Sequence, residues 1–213
     1  MTMEDLPTYL SIDLDYWTEF PTAFMDKVAS LNVPTAIAIE HHRLIHHINS
    51  FDCVRLVNVD THSDLCGGSE PGEPVEDGTW GAFVSWRDHP KSSFVWSYPL
   101  AACVLGRTNQ TGTWCDNEPE LNPFFKRDPK PLCGWSKTSR RISPIVSKME
   151  WHSIKAVGIC LSPAFLPDHM VPVFARKLLN LAKKHKFKLV DKAPALSLWR
   201  NYETRKLEAW VRT

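Results

Sequence analysis

Residues 54–65 read VRLVNVDTHSDL, a mainly apolar run that leads into Asp60, His62 and Asp64 at every second position. Apolar, β-branched runs of this kind are typical of strands covered on both faces of a parallel sheet. In open parallel sheets, ligands bind at the carboxyl ends of the strands. The segment therefore predicts an α/β fold class and a polar site at one edge of the sheet.

Five further runs have the character of strands, and helical patterns lie between several of them. They are TYLSIDLDYW (8–17), TAIAIEHH (35–42), SFVWSYPL (93–100), KAVGICLSP (155–163) and FKLVD (187–191), the last as an edge strand. This alternation predicts a three-layer α/β/α sandwich with a mostly parallel sheet. We expect a single domain over residues 1–213.

Two helices are predicted from apolar residues at helical spacing, one over 21–32 and one over 168–185. The second places Pro172 in its first turn, where proline is tolerated, and ends in the basic segment KKH, which suits the negative end of the helix dipole. The apolar positions are Phe24, Val28 and Leu31 in the first helix and Val171, Phe174, Leu178 and Leu181 in the second.

Composition excludes several classes of function. The chain has 213 residues, 43% of them hydrophobic, enough for a sizeable core, and a formal net charge of +1 gives no bulk affinity for nucleic acid or anionic membranes. No basic and apolar leader opens the sequence, and no window approaches the roughly 18 apolar residues of a membrane span. We expect a soluble cytoplasmic protein whose six cysteines, which form no C-x-x-C pair, are thiols.

The segment 107–150 has a different character. Five prolines interrupt its periodicity, and a long irregular excursion in a compact domain is often functional, for example as a lid. A solvated loop and a role in gripping substrate are both open interpretations. The basic residues of the segment are Lys126, Arg127, Lys130, Lys137, Arg140, Arg141 and Lys148.

Two other predicted strands also end in groups that can bind metals. Asp13 and Asp15 follow TYLSI, and Glu40, His41 and His42 follow TAIAI. Because parallel strands end at the same edge of a sheet, we expect three neighbouring strand ends to bring four aspartates and one or two histidines together.

Four carboxylates at such a site would raise one another's pKa values strongly unless cations were present. Two divalent ions would remove the conflict, as in binuclear hydrolases. Carboxylate oxygens with few imidazoles favour Mn²⁺, two ions per chain, with zinc, iron and cobalt as alternatives. A D-x-D pair alone could equally be a turn or helix cap, or the nucleophile motif of a phosphotransferase. D-x-H-x-D after an apolar strand is the stronger signal.

The two motifs resemble those of a known superfamily. VNVDTHSDL resembles the D-A-H-x-D motif, and SIDLDYW the S-x-D-x-D motif, of the arginase and deacetylase superfamily. Together with CLSPAF, they look most like the peptide arginases of ribosomal peptide biosynthesis. That resemblance implies hydrolysis of arginine side chains in a precursor peptide to ornithine and urea. One departure is that D-x-D precedes D-x-H-x-D here, the reverse of the order in ordinary arginases.

The resemblance also implies roles for individual residues. Asp13 and Asp60 would bridge the two ions, Asp64 would bind the first ion and Asp15 the second. A histidine from another strand end would complete the first ion, with His42 as first choice and His41 as second. The implied metal ligands are Asp13, Asp15, His42, Asp60, His62 and Asp64.

The expected mechanism is attack of a metal-bridging hydroxide on the guanidinium carbon, since metal ions lower the pKa of bound water. Asp64 would accept the proton and pass it to the leaving amine, with His41 or His89 as a proton shuttle. A cationic guanidinium also needs an acidic partner, and the loop after the motif offers candidates. These candidates are Glu70, Glu73, Glu76 and Asp77, while Trp80 is expected to be core packing.

Other functions remain open on the sequence alone. A ureohydrolase of free arginine or agmatine, a single-zinc deacetylase, a di-metal phosphoesterase and a non-catalytic metal-binding protein could each use parts of the pattern. A peptide partner would account for the basic excursion, because extended acidic segments could bind there. Whether the chain forms a homo-oligomer is open.

Overall fold

The computed structural model describes residues 6–60, 62, 64, 75, 78, 80–87, 89, 92–97, 140–141 and 151–190. Within these residues the chain forms a seven-stranded sheet in which every pair of neighbouring strands is parallel. The α/β class with a parallel sheet is therefore confirmed.

The strands run in the spatial order β5-β4-β3-β1-β6-β2-β7. The sequence predicts six of them, and the seventh, β5, is a two-residue strand inside the segment expected to be irregular. Their bounds are β1 Thr8–Asp13, β2 Thr35–Ala38, β3 Arg55–Val59, β4 Ser93–Ser97, β5 Arg140–Arg141, β6 Ile154–Cys160 and β7 Lys188–Leu189.

Three α-helices accompany the sheet in the described residues: α1 Thr22–Ser30, α2 Ile45–Ile48 and α3 Val171–His185. The two long ones confirm the predicted helices, although α3 begins three residues later than expected, because residues 167–170 form a turn. Short 3₁₀ turns cover Leu14–Tyr16, His41–Leu44, Trp80–Phe83 and Trp151–Ser153.

Apolar side chains pack on both faces of the sheet in two separate clusters. Leu10 and Ile12 of β1 belong to the cluster that contains the buried stripes of α1 and α3. Tyr9 belongs to the other, with Leu56, Trp80 and residues of α2. Because side chains alternate along a strand, Ser11 and Asp13 lie on the same face as Tyr9. That face carries the polar site.

The order of the strands decides which sequence motifs meet. β1 and β3 are neighbours, and the pairing of Ile12 with Val59 brings Asp13 alongside Asp60. The expectation of three neighbouring strand ends is wrong for β2, because β6 lies between β1 and β2. Residues that follow β2 must therefore cross the end of β6 to reach the aspartates.

None of the helices in the part of the chain described here combines the length and apolar character needed to cross a membrane. Cys53 and Cys160, the two cysteines within the described residues, are buried free thiols, as the sequence predicts. The segment 107–150 lies outside the described residues except for Arg140–Arg141.

Candidate metal centre

The two acidic motifs fold in the same way after their strands. Asp13 accepts a hydrogen bond at Oδ1 from the backbone N–H of Asp15 (3.1 Å), and Asp60 accepts one at Oδ1 from the N–H of His62 (2.7 Å). Aspartates favour such turns, in which the carboxylate bonds the backbone two residues later. Each turn directs the third residue of its motif back toward the aspartates. The spacing in D-x-D and D-x-H is thus explained locally.

His41 is the histidine that the structure brings to the carboxylates. Its Nδ1 lies 3.3 Å from Asp13 Oδ2, 3.1 Å from Asp60 Oδ2 and 3.0 Å from Asp64 Oδ2. Its other ring nitrogen, Nε2, lies 2.6 Å from the hydroxyl of Ser11, which orients the ring.

His42, the first choice from the sequence, is placed differently. Its Nε2 lies 3.6 Å from Glu40 Oε2, and its side chain is 21% exposed. The prediction of His42 is corrected to His41. The 3₁₀ turn after β2 causes the difference, because it directs residue 41 into the protein and residue 42 outward.

The surroundings of His41 Nδ1 fit a bound cation. This atom is buried and, among the described residues, makes no hydrogen bond of acceptable geometry, although three carboxylate oxygens lie within 3.3 Å. Ligand atoms about 2.1 Å from one octahedral ion are roughly 3 Å apart. His41 Nδ1 therefore lies, from each of the three carboxylate oxygens, at the distance expected between two ligands of one ion.

A second group of candidate ligands adjoins the first. His62 Nδ1 lies 3.0 Å from Asp15 Oδ2 and 3.7 Å from Asp60 Oδ1. Asp13, His41 and Asp60 form one group whose ligand atoms lie within 4.8 Å of one another, and Asp15, Asp60 and His62 form the other. Asp60 belongs to both groups, one oxygen facing each histidine. Asp13, expected to bridge as well, belongs to the first group alone, and Asp64, whose Oδ2 lies 3.0 Å from His41 Nδ1, belongs to neither group.

Burial and mutual repulsion dominate the electrostatics of these groups. Burial, together with the charges of Asp13 and Asp60, raises the pKa of Asp15 to about 7. Burial and the neighbouring Asp60 also raise the pKa values of Asp13 and Asp64. Burial acts to raise the pKa of Asp60, but the nearby imidazoles of His41 and His62 outweigh burial and hold this pKa well below the usual range.

The pKa values of the two histidines are raised, whereas burial alone lowers the pKa of an imidazole. Burial lowers the pKa of His62, but its bonds to Asp15 and Asp60 outweigh this and raise it to about 12. The pKa of His41 is likewise raised well above its usual value by three carboxylates that outweigh burial. Without cations, protons therefore supply the positive charge that this cluster requires.

Four residues that the sequence reasoning did not assign support the ligands. Ser162 donates a short hydrogen bond to Asp13 Oδ2, and Asn58 Nδ2 donates to Asp60 Oδ2 (3.3 Å). Trp80 donates from Nε1 to Asp64 Oδ2 (2.6 Å), and Ser11 contacts His41. Ser11 and Asn58 could have been identified from the sequence, since each is a polar residue within the apolar run of a predicted strand. Trp80 is fully buried, as predicted.

The remaining predicted residues do not join this cluster. His89 lies near the amino ends of the strands, opposite the carboxyl ends that carry the cluster. Its carbonyl oxygen accepts a hydrogen bond from the N–H of Ser92, which precedes β4, and the first residue of β4, Ser93, pairs with Arg55 at the start of β3. Its prediction as a proton shuttle is wrong for this reason. Glu70, Glu73 and Asp77 lie outside the described residues.

Access to the cluster, within the described residues, is from the side of His62. Its side chain is 14% exposed, whereas those of His41, Asp13, Asp15, Asp60 and Asp64 are at most 6% exposed. The ring of Phe165, 40% exposed, lies against the His62 ring with centroids 4.6 Å apart. His62 and Phe165 form the rim of the site.

Comparisons of this chain with protein-family models, curated proteins and solved structures find no match.

Proposed function

We propose that this protein is a binuclear metal hydrolase of arginase-like architecture that converts arginine residues of a precursor peptide to ornithine and urea. The observation that carries the proposal is the sharing of Asp60 by two adjacent groups of candidate ligands. A carboxylate with one oxygen facing each of two imidazoles is suited to bridge two cations.

The donor set fits hard or borderline divalent ions, and Mn²⁺ is the proposed metal because oxygens outnumber nitrogens. When bound, two such ions would lower the pKa of water so that hydroxide is available near neutral pH. Asp60 is the proposed bridging ligand. The first ion would be held by Asp13, His41, Asp60 and Asp64, and the second by Asp15, Asp60 and His62.

Asp64 is the proposed proton carrier. Its carboxylate is buried, accepts the indole N–H of Trp80, and lies within 3.0 Å of His41 Nδ1. A carboxylate at this position would accept the proton of the attacking water and pass it to the leaving amine. His41 is assigned as a ligand and not as a shuttle, because both of its ring nitrogens face groups of the site.

The strand order supports an arginase-like arrangement despite the reversed order of motifs. β1 and β3 are adjacent, so Asp13 and Asp60 lie side by side whichever motif comes first along the chain. Apolar clusters on both faces of the parallel sheet agree with a three-layer α/β/α sandwich.

The alternatives differ in metal number and substrate. A single-zinc deacetylase would need one ion, and the paired groups around Asp60 favour two. A ureohydrolase of free arginine or agmatine would use the same ions. A non-catalytic protein would bind the ions and turn over neither substrate.

The proposal is tested by loading the protein with Mn²⁺ and offering free arginine and an arginine-containing peptide in parallel, with urea and peptide mass as readouts. We expect the protein to bind two ions per chain. We also expect it to release urea from the peptide but not from free arginine, and to change the peptide mass by the difference between arginine and ornithine. Turnover of free arginine would favour the small-molecule enzyme. Two bound ions with turnover of neither substrate, and release of acetate from an acetyl-lysine peptide by zinc-loaded protein, would each contradict the proposal.

A further inference from the structure

Trp80 contacts the site in a way that core packing does not require. The indole is fully buried and lies in the apolar cluster on the site's face of the sheet. Its Nε1 donates to Asp64 Oδ2 at 2.6 Å, and its ring packs on the ring of His41 with centroids 4.4 Å apart and planes inclined by 35°. One side chain thus touches two candidate ligands that come from different strand ends.

The backbone beside Trp80 holds the same aspartate from its other side. The N–H of Gly81 donates to the carbonyl oxygen of Asp64 (3.2 Å). Asp64 itself has φ of 56°, a left-handed conformation that a non-glycine residue keeps only where its surroundings hold it. The segment Trp80–Gly81 bonds both the carboxylate and the carbonyl of Asp64, and so supplies that constraint.

We propose that Trp80 is a positioning residue of the metal centre, which sets the carboxylate of Asp64 and the imidazole of His41 at the spacing that the first ion requires. A hydrogen bond to a carboxylate is short and strong when the acceptor is charged, and it fixes direction as well as distance. The ring contact limits rotation of His41 from one side, while Ser11 holds its Nε2 from the other. Because these contacts of Trp80 go to Asp64 and His41, we expect the affinity for the second ion, proposed at Asp15, Asp60 and His62, to be unaffected by loss of the indole N–H.

The chain offers a matched control in Trp86. This tryptophan is also buried in the same apolar cluster, but its Nε1 donates to the backbone carbonyl of Ile48 at 3.5 Å. Trp80→Phe and Trp86→Phe therefore remove the same atoms from the same kind of environment. Only the first removes a bond to a candidate ligand.

The experiment measures Mn²⁺ affinity and stoichiometry for the full chain and both variants, with the visible absorption of bound Co²⁺ as a report on ligand geometry. We expect Trp80→Phe to lower the affinity for the first ion by roughly 10–100-fold, which is the usual effect of losing a hydrogen-bond partner of a metal ligand. The Co²⁺ spectrum should change as well. The second ion should keep its affinity. Trp86→Phe should leave both affinities and the spectrum unchanged. If Trp80→Phe fails to fold, benzothienylalanine at position 80 replaces the N–H by sulfur and keeps the shape of the ring.

The inference rests on the proposed function through its metal centre, and the two can fail separately. Wild-type affinity for both ions in Trp80→Phe or in the benzothienylalanine variant would overturn the positioning role alone. Loss of affinity in Trp80→Phe together with no hydrolysis of arginine by the wild type would support the positioning role and overturn the proposed reaction. A wild-type protein that binds no divalent ion would overturn both.

Discussion

Asp60 is the residue on which the two halves of the site depend. It is 1% exposed, and its two oxygens face different histidines, His41 at 3.1 Å and His62 at 3.7 Å. Its carboxylate also receives hydrogen bonds from Asn58 and from the backbone of His62. A buried carboxylate is stable there only with nearby positive charge, which histidine protons or metal ions can provide.

Asp60→Asn is expected to abolish binding of both ions. Arginine turnover should fall by more than roughly 100-fold, which exceeds the usual effect of losing a residue that only hydrogen-bonds a metal ligand. The reason is that an amide offers one neutral oxygen where two charged ones are needed. Metal analysis and urea release measure the effect. Asp26→Asn on the exposed face of α1 is the control and should behave as wild type. An Asp60→Asn protein that keeps both ions and full activity would refute the assignment.

His41 and His42 are adjacent in sequence but differ in position, which makes them a matched pair. His41→Ala is expected to lower the affinity for the first ion, because Nδ1 faces three carboxylates. The loss should be larger than the roughly 10–100-fold that follows removal of a residue that only hydrogen-bonds a metal ligand. His42→Ala should leave both ions bound, because its imidazole faces Glu40. Calorimetric titration with Mn²⁺ distinguishes the two. The opposite result would return the ligand role to His42.

Strand β6 determines how the chain after β2 reaches the aspartates. It separates β1 from β2, and Gly158 near its centre leaves room for Tyr9 and Leu44 to pack over it. A Cβ at position 158 would lie 2.5 Å from Tyr9 Oη and 2.9 Å from Leu44 Cδ1. Leu44 ends the 3₁₀ turn that begins with His41, so the glycine also affects the placement of that histidine.

Gly158→Ala is expected to destabilise the protein by about 1–3 kcal/mol, the usual cost of overpacking a core. It should also lower the affinity for the first ion, because His41 would be displaced. Urea unfolding of the metal-free protein measures the stability term. Tyr9→Phe removes the hydroxyl nearest the new methyl group. The double variant should therefore be more stable than the sum of the two single changes predicts. Additive effects would show that Leu44, and not Tyr9, sets the limit at this position.

At the scale of the whole molecule, the cluster couples folding to protons and cations. The folded protein holds a proton on Asp15 up to about pH 7, whereas the unfolded chain releases it near pH 3.8. His62 keeps its proton to about pH 12 in the fold and to 6.5 when unfolded. In both windows the folded state binds more protons, so its stability falls as pH rises. Asp60 acts in the opposite sense, but only at pH values below its ordinary pKa. Burial lowers the pKa of His47 from 6.5 to about 4, so His47 also acts in the opposite sense between these two pH values.

The metal-free protein is accordingly expected to lose stability between about pH 6.5 and pH 8, because Asp15 and then His62 favour the protonated fold and the opposing effect of His47 ends near pH 6.5. With Mn²⁺ in excess, stability should rise over the same range, since ions replace protons as the positive charge and deprotonated ligands bind them better. Urea titrations with chelator and with Mn²⁺ test both slopes. Asp15→Asn should reduce the slope of the chelated protein. Equal slopes in the two conditions would indicate that no ion binds at this cluster.

The sequence by itself determined the α/β class, the six principal strands and both long helices, and it predicted five of the six proposed ligands. These features depend on local apolar periodicity and on turn chemistry, as when Asp13 and Asp60 bond the backbone two residues onward. The tertiary structure alone decided that His41 and not His42 faces the aspartates, that β6 lies between β1 and β2, and that His89 is at the far edge. It also placed Ser162 and Trp80, distant in sequence, on Asp13 and Asp64. The physical reason is that strand order and the direction of a side chain after a strand depend on long-range packing, which no short segment encodes.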